Sequence, residues 1–224
     1  MVRKVISGVL LFCLLIIDTN SQTVLSSPDA SHTTPSLPHD KMYNRLFTDL
    51  KNISESPEEI QAWSRENIAS LRGLLQKVTN LLKAEQQKSC KEFVPENCTA
   101  PLPPSSGGLV CVTINDVRYC KPMCNQGYDF SFLRRSQLYE QCGDHTSYKW
   151  STQFIGGSRL AVCIESRIPI SGAPSAYFPK EQDCEETVQN YSLEKQQIER
   201  FVKELKEDGI TGEHNKVNDC LLCG

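Results

Sequence analysis

The chain has 224 residues, 39% hydrophobic and 23% charged, and its 24 Lys and Arg against 27 Asp and Glu leave a formal net charge of −3. A balance this close to neutral excludes a strongly basic nucleic-acid binder. Beyond residue 17 no run is long and apolar enough to span a bilayer, so a membrane span is not expected.

Residues 1–21 begin with a short basic start, Arg3 and Lys4, followed by the apolar run Val5 to Ile17 and the small residues Thr19 and Ser21. A spanning helix needs ~20 apolar residues, and this run is shorter, so it reads as a secretory signal peptide. Cleavage would remove Cys13 and leave ten cysteines, at 90, 98, 111, 120, 124, 142, 163, 184, 220 and 223. An even set of thiols in an oxidising compartment is expected to be paired. Glycosylation sequons at Asn52, Asn97 and Asn190 agree with secretion.

Residues 22–40 are rich in Ser, Thr and Pro, have no apolar period, and read as a disordered arm. A helical region is expected over 41–90. Tyr43, Leu46, Phe47 and Leu50 share one face. Ser56, Pro57 and Glu59 then give a helix-start signal for a long helix over 57 to about 88. Its stripe, Ile68, Leu71, Leu75, Val78 and Leu82, steps by 3, 4, 3 and 4, the spacing of a coiled-coil seam; Leu74 and Leu81 widen it.

Residues 91–163 change in texture: six cysteines, Pro and Gly turns, and short apolar runs. The core is too thin to stand without cross-links, so this segment reads as a small disulfide-rich β module. Cys111 and Cys120 flank the turn Asn115-Asp116 and are expected to staple a hairpin. A zinc site built from Cys111, Cys120, Cys124 and His145 has the wrong spacing for the common fingers, so no metal or cofactor is expected. Residues 164–182 hold three prolines and read as a linker. An amphipathic helix is expected over 183–209, opened by the Asp183/Glu186 capping pattern, striped by Val188, Tyr191, Lys195, Ile198, Val202 and Leu205, and closed by Gly209. A tail with Cys220-x-x-Cys223 occupies 210–224.

The order Cys98, Cys124, Cys142, Cys163, with CTAPLPP after the first and CNQGYDF opening at the second, resembles the complement control protein or sushi module. The resemblance implies the pairs Cys98–Cys142 and Cys124–Cys163, with Trp150 and Tyr128 in the core. It also implies a non-catalytic module that recognises an extracellular protein or a glycan. Trp150 comes late after Cys142, and Cys111 and Cys120 are extra, which marks a divergent member. The fold class expected is therefore α+β, a sushi-like β module flanked by amphipathic helices.

The sequence suggests a Cys90–Cys184 bridge that draws those helices into an antiparallel pair. Cys220 and Cys223 are open to three readings: a local bridge, interchain links that lock a homodimer, or a redox pair. Candidate contact residues are the module's cations, Arg118, Lys121, Arg134, Arg135, Lys149 and Arg159, which would suit an acidic protein or a sulfated glycan. No nucleophile elbow, zinc-protease, P-loop or dinucleotide motif occurs, so a non-enzyme is expected.

Overall fold

The computed structural model describes residues 38–91, 94–152 and 157–224. The signal peptide and the greater part of the 22–40 arm lie outside these residues. The chain divides into two units, 1–62 and 63–224. In the first, α1 (Pro38–Glu55) is followed by a single turn of helix, α2 (Pro57–Gln61). Tyr43 and Phe47, four residues apart, stack at 5.9 Å on α1.

The second unit is built on one hairpin. Asn115 and Asp116 both take positive φ, 49° and 59°, as a two-residue hairpin turn requires. They join β1 (Gly107–Ile114) to β2 (Val117–Cys124) in a register that puts Cys111 opposite Cys120. Asn115 also ties the turn to the loop ahead of the last strand: its side chain donates to the Thr211 carbonyl and accepts from the Glu213 amide. The remaining strands are β3 (Tyr128–Phe130), β4 (Glu140–Cys142), β5 (Cys163–Glu165) and β6 (Cys220–Cys223). The main sheet has the order β4-β2-β1-β6, all pairs antiparallel, and β3 pairs with β5 in a second, two-stranded sheet. The edge strand β6 thus comes from outside the 91–163 module expected from sequence.

Both faces of the main sheet are covered, and strand periodicity sorts the side chains between them. Val110, Val112, Ile114, Tyr119, Met123, Leu221 and Cys223 pack with Phe178, Cys184, Phe201 and Leu205 on one face. Leu109, Cys111, Cys120, Cys142, Cys220 and Leu222 pack with Cys90, Trp150 and Leu160 on the other. This corrects the terminal-cysteine readings. Cys220 and Cys223 stand three residues apart on a strand, so their side chains leave opposite faces and cannot meet. Cys220 pairs with Cys90, near the end of the long helix Arg65–Lys91 ahead of the sheet, and Cys223 pairs with Cys184. There is no Cys90–Cys184 bridge and no Cys220–Cys223 bridge, and neither cysteine is left for an interchain link. The other sulfurs pair as Cys98–Cys142, Cys111–Cys120 and Cys124–Cys163. Trp150 lies in the cluster with Cys142, its indole N–H donating to the Thr99 carbonyl; Cys124, with half-buried Tyr128 and Cys163 against it, belongs to a third cluster.

The helices also depart from expectation. The long helix does not begin at Ser56, whose side chain makes no cap hydrogen bond. Ser64 starts it instead: its hydroxyl accepts from the Asn67 amide and its carbonyl from the Ile68 amide, opening α3 (Arg65–Lys91). The second helix is likewise two. Asp183 and Glu186 form the expected reciprocal capping box on α4 (Cys184–Gln189). Asn190 then ends α4 and caps α5 (Tyr191–Glu207), its side-chain oxygen accepting from the Ser192 and Leu193 amides. Gly209, at φ 84°, closes α5, with the Ile210 amide reaching back to the Leu205 carbonyl. α3 and α5 do not form an antiparallel pair. The end of α3 is bridged to the sheet face bearing Cys220, and α5 covers the opposite face.

Residues 164–182 are more than a linker: Ala176, Tyr177 and Phe178 are buried, and Phe178 donates its amide to the Cys124 carbonyl.

Gly108 marks how closely α4 approaches the sheet. A β-carbon there would collide with Cys184 Sγ and lie 2.7 Å from the Leu222 carbonyl oxygen. Gly108→Ala is expected to displace the Cys184–Cys223 bridge or β6 and to cost about 3 kcal/mol of stability, read from urea midpoints.

Candidate functional site

An extended line of exposed apolar side chains runs along α3. The helix meets the sheet only near its C-terminal end, where Cys90 is buried. Upstream of Lys83 its residues are exposed, with Leu71 half-buried. The exposed set includes Ile68, Leu74, Leu75, Val78, Leu81 and Leu82, the last two at 68% and 65%. Gly73, the weak helix former of this segment, sits on the far side of the seam with open space around it. The seam over 65–82 spans ~27 Å at 1.5 Å per residue. It exposes roughly 500 Å² of side chain, within the range of about 300–600 Å² for the largest contiguous patch on a typical monomer, a size often tied to function.

The basic residues that read as a contact face from sequence divide into two groups. Arg135, Lys149 and Arg159 are exposed. Arg118, Lys121 and Arg134 are interior, which removes them as contacts for a glycan or an acidic protein. Each is held by partners remote in sequence or on another strand. Lys121 Nζ lies 2.6 Å from Glu204 Oε2 on α5 and over the Phe201 ring. Burial lowers the Lys121 ammonium, with Glu204 acting against that. Arg134 Nη1 lies 2.9 Å from Glu140 Oε1 and also donates to the Leu160 carbonyl.

Arg118 is the unusual member. It is fully buried, and among the described residues no carboxylate accepts a hydrogen bond from it. Nη1 donates to Thr113 Oγ1 and the Asn218 carbonyl, while Nη2 lies 3.1 Å from Cys90 Sγ and 2.9 Å from Cys220 Sγ. Nε has no acceptor. Burial brings the guanidinium down to about 10, opposed by the charge of Asp219, so it remains a cation at neutral pH. The sulfurs of Cys90, Cys111 and Cys220 lie within 4.8 Å of one another. All three are in disulfides, which lack the thiolate charge that a metal ion needs.

A groove of about 560 Å³ runs beside α5, between Tyr191, Ile198, Val202 and Lys206 and the facing His214 and Asp219. His214 Nε2 and Asp219 Oδ1 are 2.8 Å apart. The stripe expected on α5 is rotated: its fully buried line is Gln197, Phe201 and Leu205, and Tyr191 is 76% exposed. The sequon asparagines Asn52, Asn97 and Asn190 are all exposed. At Asn190 the helix cap uses the side-chain oxygen and leaves the amide nitrogen, the atom that carries a glycan, outside these bonds.

Among the described residues no helix is long and apolar enough to cross a membrane. Five disulfides are consistent with an oxidising, extracellular setting. No family model, no curated protein and no solved structure matches the chain, which leaves its own geometry as the ground for a functional reading.

Proposed function

We propose that this is a secreted, non-catalytic glycoprotein that works by association: α3 pairs with α3 of a second copy, and the cross-linked head, including the sushi-like segment 98–163, is presented in duplicate to an extracellular partner. The observation that carries this reading is the heptad seam of α3, its apolar residues from Ile68 to Leu82 exposed except at half-buried Leu71. Steps of 3 and 4 place an apolar line along one side of the helix, the spacing with which helices of the same repeat pair. Two seams together bury ~1,000 Å², about the threshold for a specific interface. All ten cysteines from Cys90 onward are consumed within one chain, so the association is non-covalent. Arg135, Lys149 and Arg159 are the cations left on the head for an acidic or sulfated partner. The Cys98–Cys142 and Cys124–Cys163 pairs support kinship with sushi modules.

The test is sedimentation velocity on protein collected from medium, beside a non-reducing gel. A dimer in solution that runs as a monomer on the gel is expected. Leu75→Lys/Leu82→Lys should weaken the dimer by at least about a hundredfold while the head melts at an unchanged temperature. A wild-type monomer at micromolar concentration would defeat the proposal. So would binding of α3 to anionic vesicles without dimerisation, or a seam occupied by α1 of the same chain.

A further inference from the structure

We propose that the Cys90–Cys220 bridge is a site of thiol–disulfide exchange with an external dithiol, singled out among the five bridges by the Arg118 side chain. The inference does not depend on self-association.

A disulfide sulfur is a weak, uncharged acceptor. A fully buried guanidinium aimed at two such sulfurs is poorly compensated, because burying a cation is costly unless it meets an anion or strong acceptors. Arg118 Nη2 is 3.1 Å from Cys90 Sγ and 2.9 Å from Cys220 Sγ, and no carboxylate completes its shell among the described residues. Asp219 offers its charge without a hydrogen bond; reduction supplies an anion in direct contact with Nη2. A thiolate at either sulfur would form a charge-assisted hydrogen bond with Nη2, which lowers the thiol pKa and makes that sulfur a better leaving group. The reduced form is therefore favoured at this bridge.

Two other bridges face the opposite field. Cys184 Sγ lies 3.7 Å from the Leu222 carbonyl oxygen, and Cys163 Sγ lies 3.9 Å from the Met123 carbonyl oxygen. A thiolate at either position would meet the negative end of a peptide dipole. Among the described residues no cation donates to a sulfur of the other four bridges.

Access selects the sulfur attacked. Cys220 is 9% exposed and Cys90 1%. A thiolate of the dithiol attacks Cys220 Sγ; the Cys90–Cys220 bond breaks, and Cys90 Sγ leaves with the electron pair beside Nη2. The second thiol of the dithiol gives up its proton and attacks its partner sulfur in the mixed disulfide, releasing Cys220. The dithiol is oxidised to a disulfide, and two electrons pass to the Cys90 and Cys220 sulfurs. Of the dithiol's two protons, one ends on a cysteine and one goes to solvent while the other cysteine stays a thiolate on Arg118. The end of α3 is then no longer covalently fixed to β6.

The experiment equilibrates the full-length protein at pH 7 in buffers of rising reduced-to-oxidised dithiothreitol ratio, alkylates free thiols and maps them by mass spectrometry. Cys90 and Cys220 should become alkylated together at a ratio at least about tenfold below that of any other pair. Concerted reduction of all five bridges, or first reduction at the more exposed Cys98–Cys142 or Cys124–Cys163, would overturn the proposal. Arg118→Lys should keep the gap and Arg118→Met should close it. If Arg118→Met does not fold, the wild-type order still decides. So does Cys220→Ser, in which the lone Cys90 thiolate, followed by its ultraviolet absorbance, should form below the ordinary cysteine range of about 8.5; formation at or above that value counts against the idea. The seam variants retain every cysteine, so failure here and failure of self-association are read separately.

Discussion

Replacing Glu140 by alanine is expected to destabilise the protein by about 3–5 kcal/mol, a large share of what a domain of this size commonly has. Glu140 is fully buried on β4, accepts from Arg134 Nη1 at 2.9 Å and from the Ser151 hydroxyl at 3.0 Å. Arg134 is itself 2% exposed, lies over the Phe130 ring, and has no partner for Nη2. The alanine variant would leave a guanidinium in the interior without its counter-charge, and that desolvated charge, more than a lost attraction, is the source of the cost. Removing both charges should therefore hurt less than removing one. Arg134→Met/Glu140→Leu is expected to recover most of the loss in urea melts under non-reducing conditions. If the double variant is as unstable as Glu140→Ala, the unpaired cation is not the cause. The same burial means that a drop in heparin retention in Arg134→Ala would report unfolding rather than a lost glycan contact.

Asp129→Asn should cost about 3 kcal/mol at pH 7, and the difference should fade on acidification. Asp129 gathers the 166–178 strap onto β3: it accepts from the amides of Phe130, Ile170 and Ser171, from the Ser171 hydroxyl and from the Tyr177 hydroxyl. Burial alone would raise this carboxyl, but the hydrogen bonds from Tyr177, Ile170 and Ser171 outweigh it and hold it below its ordinary value. Burial and then the hydrogen bond to Asp129 push the Tyr177 hydroxyl in the other direction, up to about 12. A carboxyl depressed on folding contributes its stability above its unfolded pKa, about 3.9, and loses it as pH falls through the folded value. Wild type and Asp129→Asn should therefore differ most at neutral pH and converge as the pH falls through the lowered folded value. An amide at this position also turns an N–H toward donors, which no repacking of the strap relieves. Equal denaturation midpoints at pH 7 would show that the strap is held by Tyr177 and Phe178 packing instead.

Local chemistry made much of the fold legible. The Asn115-Asp116 turn, the Asp183/Glu186 box and the Gly209 stop each act over a few residues, so their residue types suffice to place them. The α3 seam was also visible, because its period is written along one element. What could not be read was set by long-range pairing. CLLC at 220–223 is too short to announce a strand; it becomes one only against β1, and only then do its two cysteines face apart. Arg118, Lys121 and Arg134 look like solvated surface in a sequence, since the groups that accept them lie as far off as Asn218 and Glu204. The break at Ser64 was missed because the stronger-looking signal at Ser56 stood eight residues earlier. The buried cluster of sulfurs around Arg118 required knowing that three cysteines from an α-helix and two strands converge.

The two-sided anchoring of β6 has a mechanical consequence. Tension applied along α3 reaches the sheet by the peptide chain after Cys90 and, more directly, through the sulfurs of Cys220. From there it passes along four residues to Cys223 and so to Cys184. Much of the load would bypass the hairpin and the segment between Cys98 and Cys163, so that a tug on the arm leaves the shape of the presented surface largely undisturbed.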